Sequence, residues 1–559
     1  MRTGGLLFGA VLVLLLTWVA GMPRYSQPDE HAHMIKMYAT SHGEGAGTRI
    51  TGAPSLVRLM TAPRSLISGT PECYIFQPEV TAGCAVPDAD PTLGATTTWV
   101  ASYPPWYYGL VGILARVLGR DTSVLASRAI SAVMCALLIA LGLSIFRTRC
   151  GERGTAALVA LTPTTLSLAS AVNPSGLEIA GAFLFWSLLT SIGLSDETPQ
   201  RRTRTWAGIV AAAVVLVRPI AVPWMLAGLV AILVLERDRF PDRRKLLRSW
   251  TPALVVLTVS IVASALWGWY ADTPLSDSRT REDMPVGSMI RVALGRTIWL
   301  GRSAFGVLGW NDTELPTPAL LLWLASVGLL AAAVWLVGSP RLRAVLLGFG
   351  ALWVFAPIAY TTAVRTPHNW AGRYTLPLLG GLAFTALLVP PTALAVTVTR
   401  RVSRFVALAF VVIEVASFHQ ALRRYMVGAS GSFTLSSPGW HPPVNAWVLV
   451  LGNAAAVALI AFVMSRRSLG TAADNREFHL GTIDAVEPPT PPKAIVTVGL
   501  GAKPNGRLRQ PRASGSCSRS CVSAMDSRGV SPPSTATNAV GTTVMVTRTS
   551  ASNTGWVRP

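Results

Sequence analysis

Apolar residues fall in blocks of roughly twenty, separated by short polar stretches rich in arginine, and this alternation dominates the 559-residue chain. The blocks lie near residues 6–22, 123–146, 155–171, 176–194, 206–217, 220–235, 252–270, 318–337, 344–362, 374–398, 406–418 and 446–464. At 1.5 Å per residue most are long enough to cross a bilayer, so the pattern predicts an all-α polytopic membrane protein of about twelve transmembrane helices. The first block could also be read as a cleaved signal peptide, but the many later blocks favour an uncleaved span. Two long polar stretches interrupt the series, at residues 23–105 and 271–316, and read as external loops.

Orientation follows from the cations. With the N-terminus inside, Arg147/Arg149/Arg153, Arg201/Arg202/Arg204, the 237–248 cluster, Arg341/Arg343, Arg400/Arg401/Arg404 and Arg466/Arg467 all fall on the cytoplasmic side. This requires residues 206–235 to form a hairpin broken at Arg218-Pro219, since a single span would invert every later loop. The expected location is the plasma membrane, with the N-terminus and the C-terminal tail in the cytoplasm. The transmembrane domain covers 1–464, and residues 465–559, rich in Ser, Thr, Pro and Arg, read as a disordered tail.

Composition narrows the class further. Hydrophobic residues make up 51% of the chain and charged residues only 13%, a balance suited to lipid. The net charge of +21 is dispersed in the cytoplasmic loops and forms no single basic patch, so nucleic acid is not an expected partner. There is no P-loop pattern for a soluble nucleotide. Of the six cysteines, only Cys73 and Cys84 share a polar loop; they would form a disulfide if that loop faces an oxidising compartment.

The candidate chemistry collects on the outer side. Asp29, Glu30 and His33 follow the first block, and a carboxylate held at a membrane surface could serve as a general base or bind a divalent cation such as Mg or Mn. The competing reading is structural: Ser26-x-x-Asp29 with Pro28 fits a helix cap. Ser175-x-x-Glu178 fits a second capping box. Arg218, the Asp312 turn before the 318–337 block, and Arg373-Tyr374 at a span mouth lie on the same side, where an arginine fork could hold phosphate. Glu414 lies inside an apolar block, a position that marks functional acids in membranes.

Pro28-Asp29-Glu30-x-x-His33, Tyr103-Pro104-Pro105-Trp106-Tyr107-Tyr108, Asn173-Pro174, Gly309-Trp310-x-Asp312 with Leu315-Pro316, and Gly372-Arg373-Tyr374-x-x-Pro377 occur in order. Together they resemble a family of uncharacterised bacterial multi-pass membrane proteins grouped with the GT-C glycosyltransferases, over roughly residues 5–464. The resemblance implies a GT-C-like bundle with a large first external loop carrying membrane-surface helices. It also implies an inverting transfer of a sugar from a polyprenyl-phosphate donor to an envelope glycan or glycolipid acceptor. Carried over, Asp29 is the base, assisted by Glu30, with both as candidate metal ligands. His33 is a further assistant to the base; His33, Arg218, Asp312, Arg373 and Tyr374 are the candidate substrate-binding residues on this face, with Arg373 expected to meet the lipid phosphate. The chain departs from the family in having Ala371 where a Gln often precedes Gly-Arg-Tyr. A transporter or flippase using Glu414, Glu178 and Arg218, or a membrane scaffold without catalysis, are the alternatives.

Overall fold

The computed structural model describes residues 2–54, 56–195, 201–237, 242–273, 284–365, 370–391, 396–436 and 439–466, all within the first of two compact units, Met1–Asp484. The expected disordered tail therefore lies almost wholly outside the described residues. The helices are α1 (Arg2–Gly21), α2 (Glu30–Ser41), α3 (Arg64–Ile67), α4 (Pro105–Val117), α5 (Val124–Cys150), α6 (Pro163–Ala169), α7 (Pro174–Gly193), α8 (Arg201–Val217) and α9 (Val222–Glu236). They continue with α10 (Arg243–Tyr270), α11 (Val286–Gly295), α12 (Thr297–Gly306), α13 (Thr317–Val337), α14 (Pro340–Val364), α15 (Leu376–Leu387), α16 (Val396–Val427) and α17 (Ala446–Ser465).

Among the described residues nine helices are long and apolar enough to cross a membrane, fewer than the twelve expected. The three remaining blocks take shorter forms. Residues 155–171 divide into a 3₁₀ stretch, Gly151–Ala160, and the short α6, because Gly151 takes φ 58° and Pro163 removes a backbone donor. Block 206–217 lies in the seventeen-residue α8, and block 374–398 contributes the twelve-residue α15. The Arg218-Pro219 break is a hairpin: Arg204 at the start of α8 pairs with Glu236 at the end of α9 at 2.6 Å.

Helix starts are set by side-chain caps on otherwise orphaned amides. Ser123 Oγ accepts from Ala126 N for α5, Asn173 Oδ1 from Ser175 N for α7, and Asn445 Oδ1 from Trp447 N for α17. The α7 helix is buried almost all round, whereas α10, α13 and α14 expose most of their apolar surface, the distribution of a central helix ringed by lipid-facing ones.

The 23–105 segment is not purely helical. Besides α2 it holds a three-stranded antiparallel sheet of β1 (Thr48–Arg49), β2 (Arg58–Pro63) and β3 (Leu93–Thr98), in the order β1-β2-β3. Cys73 and Cys84 are joined in a disulfide between β2 and β3. A second two-stranded hairpin, β4 (Val307–Leu308) with β5 (Thr313–Glu314), presents Trp310.

The two ends of the bundle differ. At one end Arg147 donates to Val463 O at 3.0 Å, Arg153 to Val389 O at 2.6 Å, and Arg400 pairs with Glu152 at 3.4 Å. At the other end α1 is tied to the start of α5 through Arg128, and the loop after α1 meets the turn before α7 and the Gly372–Tyr374 turn, and there the titratable residues converge.

Candidate functional site

Asp29 is the centre of that convergence, and its geometry sets aside the helix-cap reading. Its backbone is left-handed, with φ 62° and ψ 5°, and its carboxylate makes no capping bond to α2. Instead Oδ1 accepts from Trp99 Nε1 at 3.1 Å and Oδ2 accepts from Arg373 Nη2 at 2.7 Å. A non-glycine residue in this region carries strain that the surroundings must hold in place. The hold comes from both sides: Asn173 Nδ2 donates to Pro28 O at 3.0 Å, and Thr98 Oγ1 donates to Ala32 O at 3.0 Å, tying β3 and Trp99 to α2.

Arg373 is delivered by the 3₁₀ turn Gly372–Tyr374. The turn seats against α12 because Gly372 has no side chain; a Cβ there would lie 2.6 Å from Ala304 N and against Ser303 Oγ. Nε and Nη1 of Arg373 make no hydrogen bond to a described residue, so most of its donors remain uncommitted. The Tyr374 ring lies 5.2 Å from the Arg373 guanidinium and 5.0 Å from that of Arg218, a doubled cation contact on one aromatic ring. Arg218 is itself fixed by Ser175 Oγ at 2.6 Å and Glu178 Oε2 at 3.0 Å. Glu178 is thus an ion-pair partner and not a capping residue, the cap of α7 being Asn173.

Electrostatics keep the Asp29 carboxyl ionised. Burial pushes it up, but the adjoining Arg373 cation, the histidines and the Trp99 donor outweigh that, and the net shift is downward. Its side chain stays 24% exposed, enough to meet a reactant. His33 behaves oppositely: burial pushes its imidazole down to about 3, only partly opposed by Asp29. Its Nδ1 shares a 2.7 Å hydrogen bond with Tyr108 Oη, and the ring stacks on Tyr108.

Glu30 departs from its expected role beside Asp29. It is fully buried; Arg128 Nε donates to Oε1 at 2.7 Å, Arg128 Nη2 to Oε2 at 2.5 Å, and Val172 N to Oε1 at 3.1 Å. Arg128 also donates to Met22 O and Pro23 O, each at 2.8 Å, so this pair locks α1, α2, α5 and the turn before α7 together. With its oxygens so engaged, Glu30 does not fit a catalytic or metal-ligating role. Among the described residues no group of three or more His, Cys, Asp or Glu side chains is placed to hold a metal, so a cation at Asp29 would draw its remaining ligands from water and substrate phosphate.

Asp312 is likewise a joint. Its Oδ2 accepts from Phe76 N at 3.1 Å and Arg424 Nη2 at 3.3 Å, while Arg424 also holds Val80 O at 2.6 Å and Tyr74 O at 2.7 Å. The disulfide loop is thereby strapped to α16. Sequence reasoning missed Arg128, Arg424 and Trp99. The first two carried a signal, since an arginine within an apolar helix calls for a partner.

A cavity of about 20 Å³ lies behind Arg373, lined by Gln27, Ser167, Ser303 and Asn311, with room for about one water. The large cavity, about 920 Å³, lies between α13, α16 and α17, with Arg423, His419 and Gln420 at its polar edge. It shares no lining residue with the Asp29 site.

Fold and site define a multi-pass helical membrane protein with a carboxylate, arginines and aromatic rings gathered at one bundle end. The chain belongs to the family described as "Predicted membrane protein (DUF2142)", whose profile matches residues 12–382, in line with the resemblance carried by the ordered motifs. No curated protein matches it. Among solved structures, it is similar to ArnT from Cupriavidus metallidurans bound to undecaprenyl phosphate, with 14% identity, a TM-score of 0.38, and coverage of 86% of this chain and 81% of that one. The apo form of that protein gives 15% identity, a TM-score of 0.39, and coverage of 87% and 81%. At TM-scores below 0.5, function has to be decided by the site itself.

Proposed function

We propose that this protein is an inverting membrane glycosyltransferase that moves a sugar from a polyprenyl-phosphate donor to a cell-envelope acceptor. The reading rests on one observation: a partly exposed, ionised Asp29 paired with an arginine whose other donors are uncommitted. Asp29 takes the proton of the acceptor hydroxyl while its oxygen attacks the anomeric carbon. The bond from that carbon to the phosphate oxygen breaks, its electron pair leaves on the phosphate, and the Arg373 fork stabilises the added charge. A single displacement of this kind inverts the anomeric centre.

The pair also supplies timing. A phosphate bound to Arg373 shares the cation that otherwise depresses the Asp29 carboxyl, so the base strengthens once the donor is in place. The positive-inside rule supports placing the end with Arg147, Arg153 and Arg400 in the cytoplasm and the site at the outer face, where the Cys73–Cys84 disulfide also belongs. Purified protein given labelled polyprenyl-phosphate sugars should transfer label to envelope acceptors, and Asp29→Asn should slow transfer by about 10²–10⁴-fold. An Asn variant as fast as wild type overturns the assignment.

One observation favours a second reading, transport. Glu414 is fully buried and neither carboxylate oxygen has a partner among the described residues. It borders a cavity of about 10 Å³ at the break between Gly151–Ala160 and α6. Liposome flux that depends on Glu414 would favour this reading over transfer.

A further inference from the structure

Four aromatic rings form a continuous wall that ends on the Asp29 carboxylate. Trp99, the donor to Asp29 Oδ1, has its ring centroid 4.9 Å from His31; His31 is 5.7 Å from Trp310, and Trp310 is 6.5 Å from Phe76. The contacts at both ends of the wall are edge-on, at 77° and 76°, so each covers at most one face of one ring, and Trp99, His31 and Trp310 are all half-buried and not enclosed. Phe76 is 62% exposed on the disulfide loop, among polar neighbours such as Glu72 and Gln77. His31 makes no hydrogen bond to a described residue; its Nδ1 is enclosed, which leaves Nε2 as the open nitrogen.

Backbone strain is concentrated on the same surface. Seven non-glycine residues among those described have positive φ; Phe76 of the wall is one, at 57°, and three others adjoin it: Tyr25 at 59°, Asp29 at 62° and Asn311 at 61°. Each is held by a specific bond or neighbour. Trp310 Nε1 donates to Tyr25 O at 3.0 Å, Asp312 Oδ2 takes Phe76 N at 3.1 Å, and Asp312 N donates to Leu308 O at 3.3 Å, closing the turn that contains Asn311. Strained residues that cluster in and behind one partly exposed surface point to a shape maintained for a ligand.

We infer that the wall of Trp99, His31, Trp310 and Phe76 is the acceptor subsite and that the acceptor it takes is a carbohydrate. This rests on the transfer reading above and names its second substrate. Flat rings bordered by polar groups match the two sides of a sugar. The axial C–H face of the sugar packs on the indole and phenyl rings, while its hydroxyls reach His31 Nε2, Asn311 and, at the inner end, the Asp29 carboxylate. A lipid tail would instead require an apolar surface without these polar borders.

The test uses the full chain in detergent, immobilised and exposed to saccharides released by mild acid from the envelope of the organism that makes it. Wild type should enrich a subset of these saccharides. Phe76→Ala should lose that enrichment roughly tenfold, while Phe76→Tyr, which keeps the ring, should retain it. Asp29→Asn should still capture saccharide while failing to transfer sugar. In the transfer assay Phe76→Ala should raise KM for the acceptor and leave KM for the donor unchanged. No enrichment by wild type, or equal enrichment by Phe76→Ala, overturns the inference, as does a Phe76→Ala phenotype confined to weaker bilayer insertion, the behaviour of an interfacial aromatic belt. Saccharide capture that depends on Phe76, in a protein that transfers nothing, would sink the transferase reading and leave the subsite standing.

Discussion

Arg373 donates to Asp29 Oδ2 at 2.7 Å across 344 positions of chain, joining the loop after the first helix to the turn before α15. Burial by itself would make Asp29 a reluctant anion. Its depressed pKa is the work of that guanidinium first, then of the neighbouring histidines and Trp99.

The acid limb of the transfer rate follows from this. Because the Asp29 pKa in the free protein lies below the ordinary carboxyl value, the acid limb of kcat/KM should fall at lower pH than for an ordinary carboxyl. In Arg373→Gln burial is no longer opposed by the cation, the pKa rises, and the limb of kcat/KM should move to higher pH. A profile unmoved by Arg373→Gln would deny the coupling.

His33 should contribute no inflection between pH 5 and 8, since burial holds its pKa near 3 and the ring is neutral throughout that range. Titration of the imidazole C–H resonances by NMR checks this directly.

Glu30 and Asp29 should separate cleanly by readout. Glu30→Ala leaves Arg128 buried and uncompensated, a loss of about 3–5 kcal/mol that should appear as a lower thermal midpoint. Asp29→Asn, which keeps an acceptor for Arg373, should lower the midpoint much less while slowing transfer by about 10²–10⁴-fold. Thermal melting in detergent alongside the transfer assay distinguishes the two roles.

Gly372→Ala should displace the Arg373 turn, because the added methyl meets Ser303 Oγ and Ala304 N on α12. Overpacking of this kind costs about 1–3 kcal/mol, and transfer should fall even though Asp29 and Arg373 are both intact.

Glu414→Leu should stabilise the bundle by about 1–3 kcal/mol, since it removes a buried carboxyl without a partner, and should leave transfer unchanged. A loss of transfer in this variant would tie Glu414 to the reaction.

The sequence shows some of this architecture because some of its causes are local. Lengths of apolar run, the Arg218-Pro219 break and the grouping of short arginine clusters are written in consecutive residues. So is the Asp29 motif, although its neighbour Glu30 looks equally chemical in one dimension. Only the three-dimensional pairing with Arg128, 98 positions away, reveals that one acid is spent and the other available. The sheet was hidden for a different reason: β1 has two residues, and β2 ends in Pro63. Blocks 155–171 and 374–398 have the hydrophobicity of spans, but their helical lengths are cut by Gly151 and Pro163 in one and end at Leu387 in the other.

The long separation of Asp29 from Arg373 also fixes an order of events during biosynthesis. At the usual pace of about 5–20 residues per second, the ribosome needs roughly 20–70 s after emitting Asp29 before Arg373 exists. Throughout most of that interval the Asp29 carboxylate has its Trp99 donor but not its counter-cation, so on the transfer reading a product ending before residue 373 would lack the phosphate-binding half of the site.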